Sequence, residues 1–120
     1  METSVQPTVV TRLDPRRAVI GLPGRIDAAS VPARREALAA LSEEGVDRLV
    51  VDLGETTFLD SAGIAMLVSL LKRARTTGGD VRVVEPADEA VKRIIRLTRL
   101  DLVFAWSASR EAAIAALGAA

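Results

Sequence analysis

The sequence predicts an α/β domain built on a mixed sheet, and three observations carry that expectation. Apolar runs of strand length alternate with longer stretches of helical periodicity. The first two strand-like runs are joined by too short a link for anything but an antiparallel hairpin. The chain has 120 residues, 49% of them hydrophobic, which is enough for one domain to bury roughly two-thirds of its unfolded surface.

"TVVTRL" (8–13) is predicted as the first strand and "DPRR" as a turn, with Asp14 and Pro15 in turn-forming roles. "AVIGLPG" (18–24) is the second strand, and Pro23, which cannot donate to a ladder, marks its end or an edge. Ser30 is placed as the N-cap of a helix with Pro32 in its first turn, running to about Glu44, with Gly45 as the stop signal. "RLVVDL" (48–53) has the unbroken apolar character of a central strand covered on both faces. A helix follows from Ser61 to about Thr77 and ends at "GGD" (78–80).

"VRVVE" (81–85) is the next strand. Pro86 opens a helix with Asp88 and Glu89 early and Lys92, Arg93 and Arg96 late, the order its dipole favours. "LVFAW" (102–106) is a last short strand, and "SREAAIAALGAA" a terminal helix capped by Ser107 or Ser109. The expected order is ββαβαβαβα, one domain with no internal repeat, linker or low-complexity tract.

Composition excludes several functions. Sixteen basic and sixteen acidic residues cancel, so there is no general pull on nucleic acid or anionic lipid. The cations of the third helix, Lys92, Arg93, Arg96 and Arg99, read as a solvated face beside a core stripe of Val91, Ile94 and Ile95. With two Phe, one Trp and no Tyr, the chain has no stacking platform for bases. The absence of cysteine removes thiolate chemistry and fits a reducing compartment. "METSVQPTVV" lacks the basic start and apolar run of a signal peptide, and no run nears the ~20 apolar residues of a membrane span. A cytoplasmic protein is expected.

The absence of histidine governs mechanism. Ser61 has no imidazole to take its proton, which rules out a Ser-His-Asp hydrolase. Of two lysines, Lys72 lies eleven residues down the same helix, about 16 Å away, and Lys92 has no position that sequence assigns. No phosphate-binding glycine loop is present; "GLPGR" (21–25) reads as a turn. No carboxylate run has metal-ligand spacing, so neither metal nor cofactor is expected. Asp52, near the end of a central strand, invites comparison with a phosphoacceptor aspartate. The acidic pair and lysine that such a site needs are missing, and Asp52 reads as a structural polar residue.

Ser61 remains, in "TFLDSAGIAML" (57–67), where strand gives way to helix. It could be a cap, a part that Asp60 could equally play, or a site of modification. Ala62 and Gly63 leave the approach to its hydroxyl nearly open, and the free N–H groups of a helix start favour an attached phosphate. On the helical wheel Ile64, Leu67, Val68 and Leu71 line the expected core face, with Met66 and Leu70 roughly opposite. Either a neighbouring helix covers Met66 and Leu70, or they form a docking surface beside the serine.

"VVDLGETTFLDSAGIAML", preceded by "VIGLPGRIDA" and followed by "GGDVRVVEPADEAVKRIIRLTRLDLVF", resembles a bacterial anti-sigma factor antagonist of the STAS domain family over roughly residues 8 to 117. Its D-S-x-G centre and the G-x-[IL]-D element at Asp27 carry the likeness; Pro23 departs mildly from the usual strand ending. The resemblance implies a STAS-like fold and a partner-switching circuit. The unmodified antagonist binds an anti-sigma factor that is also a serine kinase, which frees the sigma factor. Phosphorylation, here at Ser61, breaks the complex, and a serine phosphatase resets it. Asp27, Ser30, Asp60, Ala62, Gly63, Met66 and Leu70 are the expected partner-binding residues. The same fold could instead serve a stress-signalling scaffold or a lipid-transport complex, and monomer and weak dimer both stay open.

Overall fold

A computed structural model describes residues 6–118. The first five residues of the amino-terminal segment and the last two alanines of the terminal helical pattern lie outside the described residues. The elements are β1 (Val9–Arg12), β2 (Arg17–Gly21), β3 (Gly24–Ile26), α1 (Val31–Glu43), β4 (Arg48–Asp52), β5 (Thr56–Leu59), α2 (Ser61–Thr76), β6 (Asp80–Val84), α3 (Glu89–Leu97), a 3-10 turn (Leu100–Leu102), β7 (Ala105–Ser107) and α4 (Arg110–Leu117).

Five strands form the main sheet in the order β1-β2-β4-β6-β7. β1 and β2 pair antiparallel across the Asp14 turn, whose carboxylate accepts from the Arg16 and Arg17 amides. The remaining pairs are parallel, with Val19, Val50 and Arg82 in register across the middle. The sheet is therefore mixed, with the expected opening hairpin.

Alternation along the strands sorts the core into two layers. Ala18, Ile20, Leu49, Val51, Val81 and Val83 point toward α1, α2 and α3 and join the larger cluster. Val19, Val50 and Val84 point the other way, beneath Ala113 and Leu117 of α4. Arg110, at the start of α4, pairs with Asp52 at 2.5 Å and fastens that helix to the end of β4.

Several expectations change: β5 is an added strand, and α3 starts at Glu89 behind an Asp88 cap, not at Pro86. The strand drawn over 18–24 breaks at Pro23: β2 stops at Gly21, and Gly24, at φ +79°, opens β3, which pairs in parallel with β5 as a separate two-stranded sheet. The stretch drawn as a strand over 102–106 begins as a 3-10 turn, and β7 starts at Ala105.

Candidate functional site

β3 and β5 are short; β3 leads through the loop 27–30 into α1, and β5 leads through Asp60 alone into α2. Ile26 pairs with Leu59 in the ladder, and the Asp60 amide donates to the Ile26 carbonyl at 3.3 Å. The pairing brings the segment after Ile26 beside the start of α2, though 34 residues separate Asp27 from Ser61 in the chain.

Asp60, not Ser61, caps α2. Its extended backbone (φ −116°, ψ −173°) lets Oδ1 accept from the amides of Ala62 at 3.0 Å and Gly63 at 3.1 Å. Oδ2 accepts from the Ala28 amide at 3.2 Å and ties the β3–α1 loop to the helix start. Ser61 is the first helical residue and is solvent-exposed. The amides expected to favour a phosphate there are already held by Asp60, so a phosphate on Ser61 would stand next to a carboxylate with less help from the helix end.

Gly63 is buried and does not serve to clear the approach to the hydroxyl. A Cβ on it would come within 2.5 Å of the Ile26 carbonyl oxygen and 2.8 Å of Leu59 Cδ1. The glycine lets the first turn of α2 lie against β3 and β5. Ala62 is half-buried.

Ser30 is 4% exposed and makes no side-chain cap to α1. Its hydroxyl donates to the Arg25 carbonyl at 2.9 Å and accepts from the Asp27 amide at 3.1 Å, while Asp27 Oδ1 accepts from the Ser30 amide at 3.0 Å. Ser30 therefore shapes the loop from within. Asp27 keeps part of its carboxylate at the surface, where Arg25 Nε pairs with Oδ2 at 2.9 Å. Arg25, followed by the Ser30 amide, holds the Asp27 carboxyl below the usual carboxylate range.

Met66 and Leu70 are covered: they are 1% and 7% exposed, and both enter the main core. The buried stripe of α2 is Gly63, Met66, Leu67, Leu70, Leu71 and Ala74. It is rotated by roughly 80° from the face expected at 3.6 residues per turn, and Ile64 and Val68 fall to its margin. The large side chains alone misplace the stripe's centre. Gly63 and Ala74 complete it, because small residues stand where a helix backbone comes closest to its neighbours. Leu38 of α1 lines the same α1–α2 cleft as Met66 and Leu70. Of the two alternatives for Met66 and Leu70, cover by a neighbouring helix is the one the structure has, and Gly63 and Ser30 are buried too.

Two exposed side chains that sequence reasoning passed over lie on the short sheet that leads to the serine. Phe58 of β5 is 37% exposed, and the Arg25 guanidinium lies 4.0 Å above its ring. Arg25 and Phe58 are ladder partners on outward-facing positions. No sequence signal marks Arg25, because the burial of Gly24 and Ile26 on either side of it is a property of the fold. Ala28 and Ala29 are exposed as well. Beneath this surface Arg34 is 2% exposed and donates to the carbonyls of Pro23 at 2.5 Å and Arg25 at 3.3 Å, so a buried cation braces β3.

The other candidates are accounted for by structure. Asp52 accepts from the Gly54 amide at 2.7 Å and pairs with Arg110, which leaves its carboxylate tied in place at the end of β4. Among the described residues no three acidic side chains cluster as a metal site, and no helix is long and apolar enough to cross a membrane.

Comparison with known proteins agrees with this architecture. A family model described as "Mlab, STAS domain" matches residues 9–104. The anti-sigma-B factor antagonist of Bacillus subtilis (strain 168) is 30% identical over 95 residues, covering 79% of this chain and 85% of the relative. The crystal structure of an anti-sigma factor antagonist from Mycobacterium paratuberculosis superposes with a TM-score of 0.80 at 30% identity, covering 92% of each chain. The Bacillus cell fate determinant SpoIIAA in its phosphorylated form shares the fold, with a TM-score of 0.68 at 16% identity over 88% of this chain and 95% of that one. By family model, sequence and fold, the chain belongs to the STAS domain family and is related to its anti-sigma factor antagonists.

Proposed function

We propose that this protein is a phosphorylation-switched anti-sigma factor antagonist acting in the cytoplasm. In its unmodified form it binds an anti-sigma factor with serine kinase activity, and the sigma factor is released. The kinase transfers the γ-phosphoryl group of ATP to Ser61 Oγ, the hydroxyl proton passes to a base on the kinase, and ADP leaves. A serine phosphatase restores the hydroxyl. The observation that carries this reading is the placement of Ser61: an exposed hydroxyl at the first position of α2, tied through Asp60 to the exposed β3–α1 loop.

The switch is electrostatic. A phosphoserine carries about −1.5 to −2 charges at neutral pH, beside the cap carboxylate of Asp60. A partner seated over Ser61, Ala28, Ala29 and Phe58 would have to strip water from that dianion. A penalty of a few kcal/mol corresponds to orders of magnitude in affinity.

A pull-down from the source cell with and without ATP tests the reading. The unmodified chain should retain an anti-sigma factor and lose it with ATP, as one acid-stable, base-labile phosphate appears at Ser61 by mass spectrometry. Ser61→Asp should fold normally and bind that partner at least tenfold more weakly. Equal affinities would remove the charge mechanism. Capture of a scaffold or transport subunit in its place, unaffected by ATP, would assign the fold to the other task.

A further inference from the structure

We infer that Arg25 is the internal receptor for a phosphate on Ser61, exchanging its ion pair with Asp27 for one with the phosphoserine. The inference rests on Ser61 being the modified residue and specifies how the modified state is held.

The register makes the exchange geometrically direct. Arg25 lies opposite Phe58, three residues before Ser61, and β3 and β5 run parallel, so both lead to the same end of the sheet. Three residues of strand span about 10 Å. The Arg25 side chain already points along that direction, since Nε donates to the Asp27 carboxylate two residues further on at 2.9 Å. Asp27 stands one step beyond the Ile26–Leu59 pair, across from Asp60. Ser61 is the next residue.

Arg25 is also the group free to move. Its side chain is 62% exposed, and among the described residues only its Nε is engaged, by Asp27. Its Nη groups remain for a second acceptor. The Phe58 ring beneath the guanidinium keeps the head near the surface without fixing its rotation. Arg34, the other cation at this corner, is buried and committed to backbone carbonyls. Asp60 Oδ1 accepts from two amides and Oδ2 from the Ala28 amide, and no cation pairs with it among the described residues.

A phosphate dianion outcompetes a carboxylate for a guanidinium through higher charge and bidentate geometry. The exchange withdraws Arg25 from the docking surface and leaves Asp27 unpaired there. Phosphorylation would then change two side chains that a partner meets, in addition to the serine itself.

The test uses the full chain with phosphoserine installed at position 61 during translation, so it does not depend on any kinase. The phosphate is titrated by phosphorus NMR in the parent protein, in Arg25→Gln and in Arg25→Lys. A cation beside the phosphate favours the dianion and lowers its second pKa. The parent should titrate at least about half a pH unit below Arg25→Gln, about threefold in the acid constant, with Arg25→Lys in between. Superimposable curves would overturn the inference. As a measurement on the parent alone, the Arg25 Nε–H resonance should move on phosphorylation, and an unmoved resonance would equally overturn it. A partner kinase that never modifies Ser61 would defeat the proposed function and leave this titration to stand or fall separately.

Discussion

Gly63→Ala sets two physical effects against each other with opposite signs. Helix propensity favours alanine over glycine by about 0.5–1 kcal/mol in a helix interior, so a view confined to α2 predicts a more stable protein. The tertiary contacts predict the reverse. The new methyl carbon would stand 2.5 Å from the Ile26 carbonyl oxygen and 2.8 Å from both Ile26 Cγ2 and Leu59 Cδ1. Two of those atoms belong to side chains already packed in the core, and the first is backbone, so relief requires β3 to move away from α2. Overpacking of this kind costs about 1–3 kcal/mol, and β3 also holds the Asp60 amide and carries the Ala28 tie. The net expectation is a loss of about 1–2 kcal/mol, which lowers Tm by about 3–10 °C for a domain of this size. Thermal and urea unfolding of the full chain by circular dichroism reads it, with binding of the anti-sigma partner as a second readout expected to weaken. An unchanged or raised Tm would refute the claim that Gly63 is there for close packing.

Met66→Lys should now behave as a core mutation: its side chain is 1% exposed, and truncation alone at such a site costs about 2–5 kcal/mol. A variant that melts with the parent but loses partner binding would return Met66 to the surface. Asp60→Ala should lose about 1–2 kcal/mol with the cap, whereas Asp60→Asn keeps an acceptor for Ala62 and Gly63 and should melt close to the parent; equal losses would show that the cap is not what matters. Asp47 is nearly buried, and burial raises its pKa, but hydrogen bonds from Arg16 Nε and Nη2 and from the Thr77 hydroxyl outweigh that, so the net shift is downward. A depressed folded pKa means a contribution present above the unfolded value of about 3.9 and lost as pH falls below it. Asp47→Asn should therefore lower stability at neutral pH and flatten the acid limb of unfolding below about pH 4; parallel acid limbs would reject the linkage.

The elements legible in the sequence were those whose signals are local. The Asp14 turn, the unbroken run at 48–53, the glycines after α1 and α2 and the acid-to-base order of α3 each act within a few residues, and each appears where expected. The family likeness around "FLDSAG" and "GRID" likewise needs only the order of residues. β3 and β5 escaped because strands of three and four residues show too little alternation to be told from loops, and each is stabilised chiefly by the other across 30 residues of chain.

For the site, the sequence by itself determined that Ser61 stands at the start of a helix and that, without histidine, its hydroxyl is no hydrolase nucleophile. Only the tertiary structure decided its surroundings. Periodicity gives the angles between side chains on a helix but not the direction from which other elements arrive. α2 meets the main sheet, β3 and α1, and that three-sided burial takes Met66 and Leu70 inside and leaves Ser61 out. Ser30 and Gly63, two small residues, are committed to holding β3 close, while Arg25 and Phe58 are paired on the sheet that leads to the serine by a ladder between distant segments. Contacts across the chain follow from where the backbone can approach, and that is a property of the packed fold.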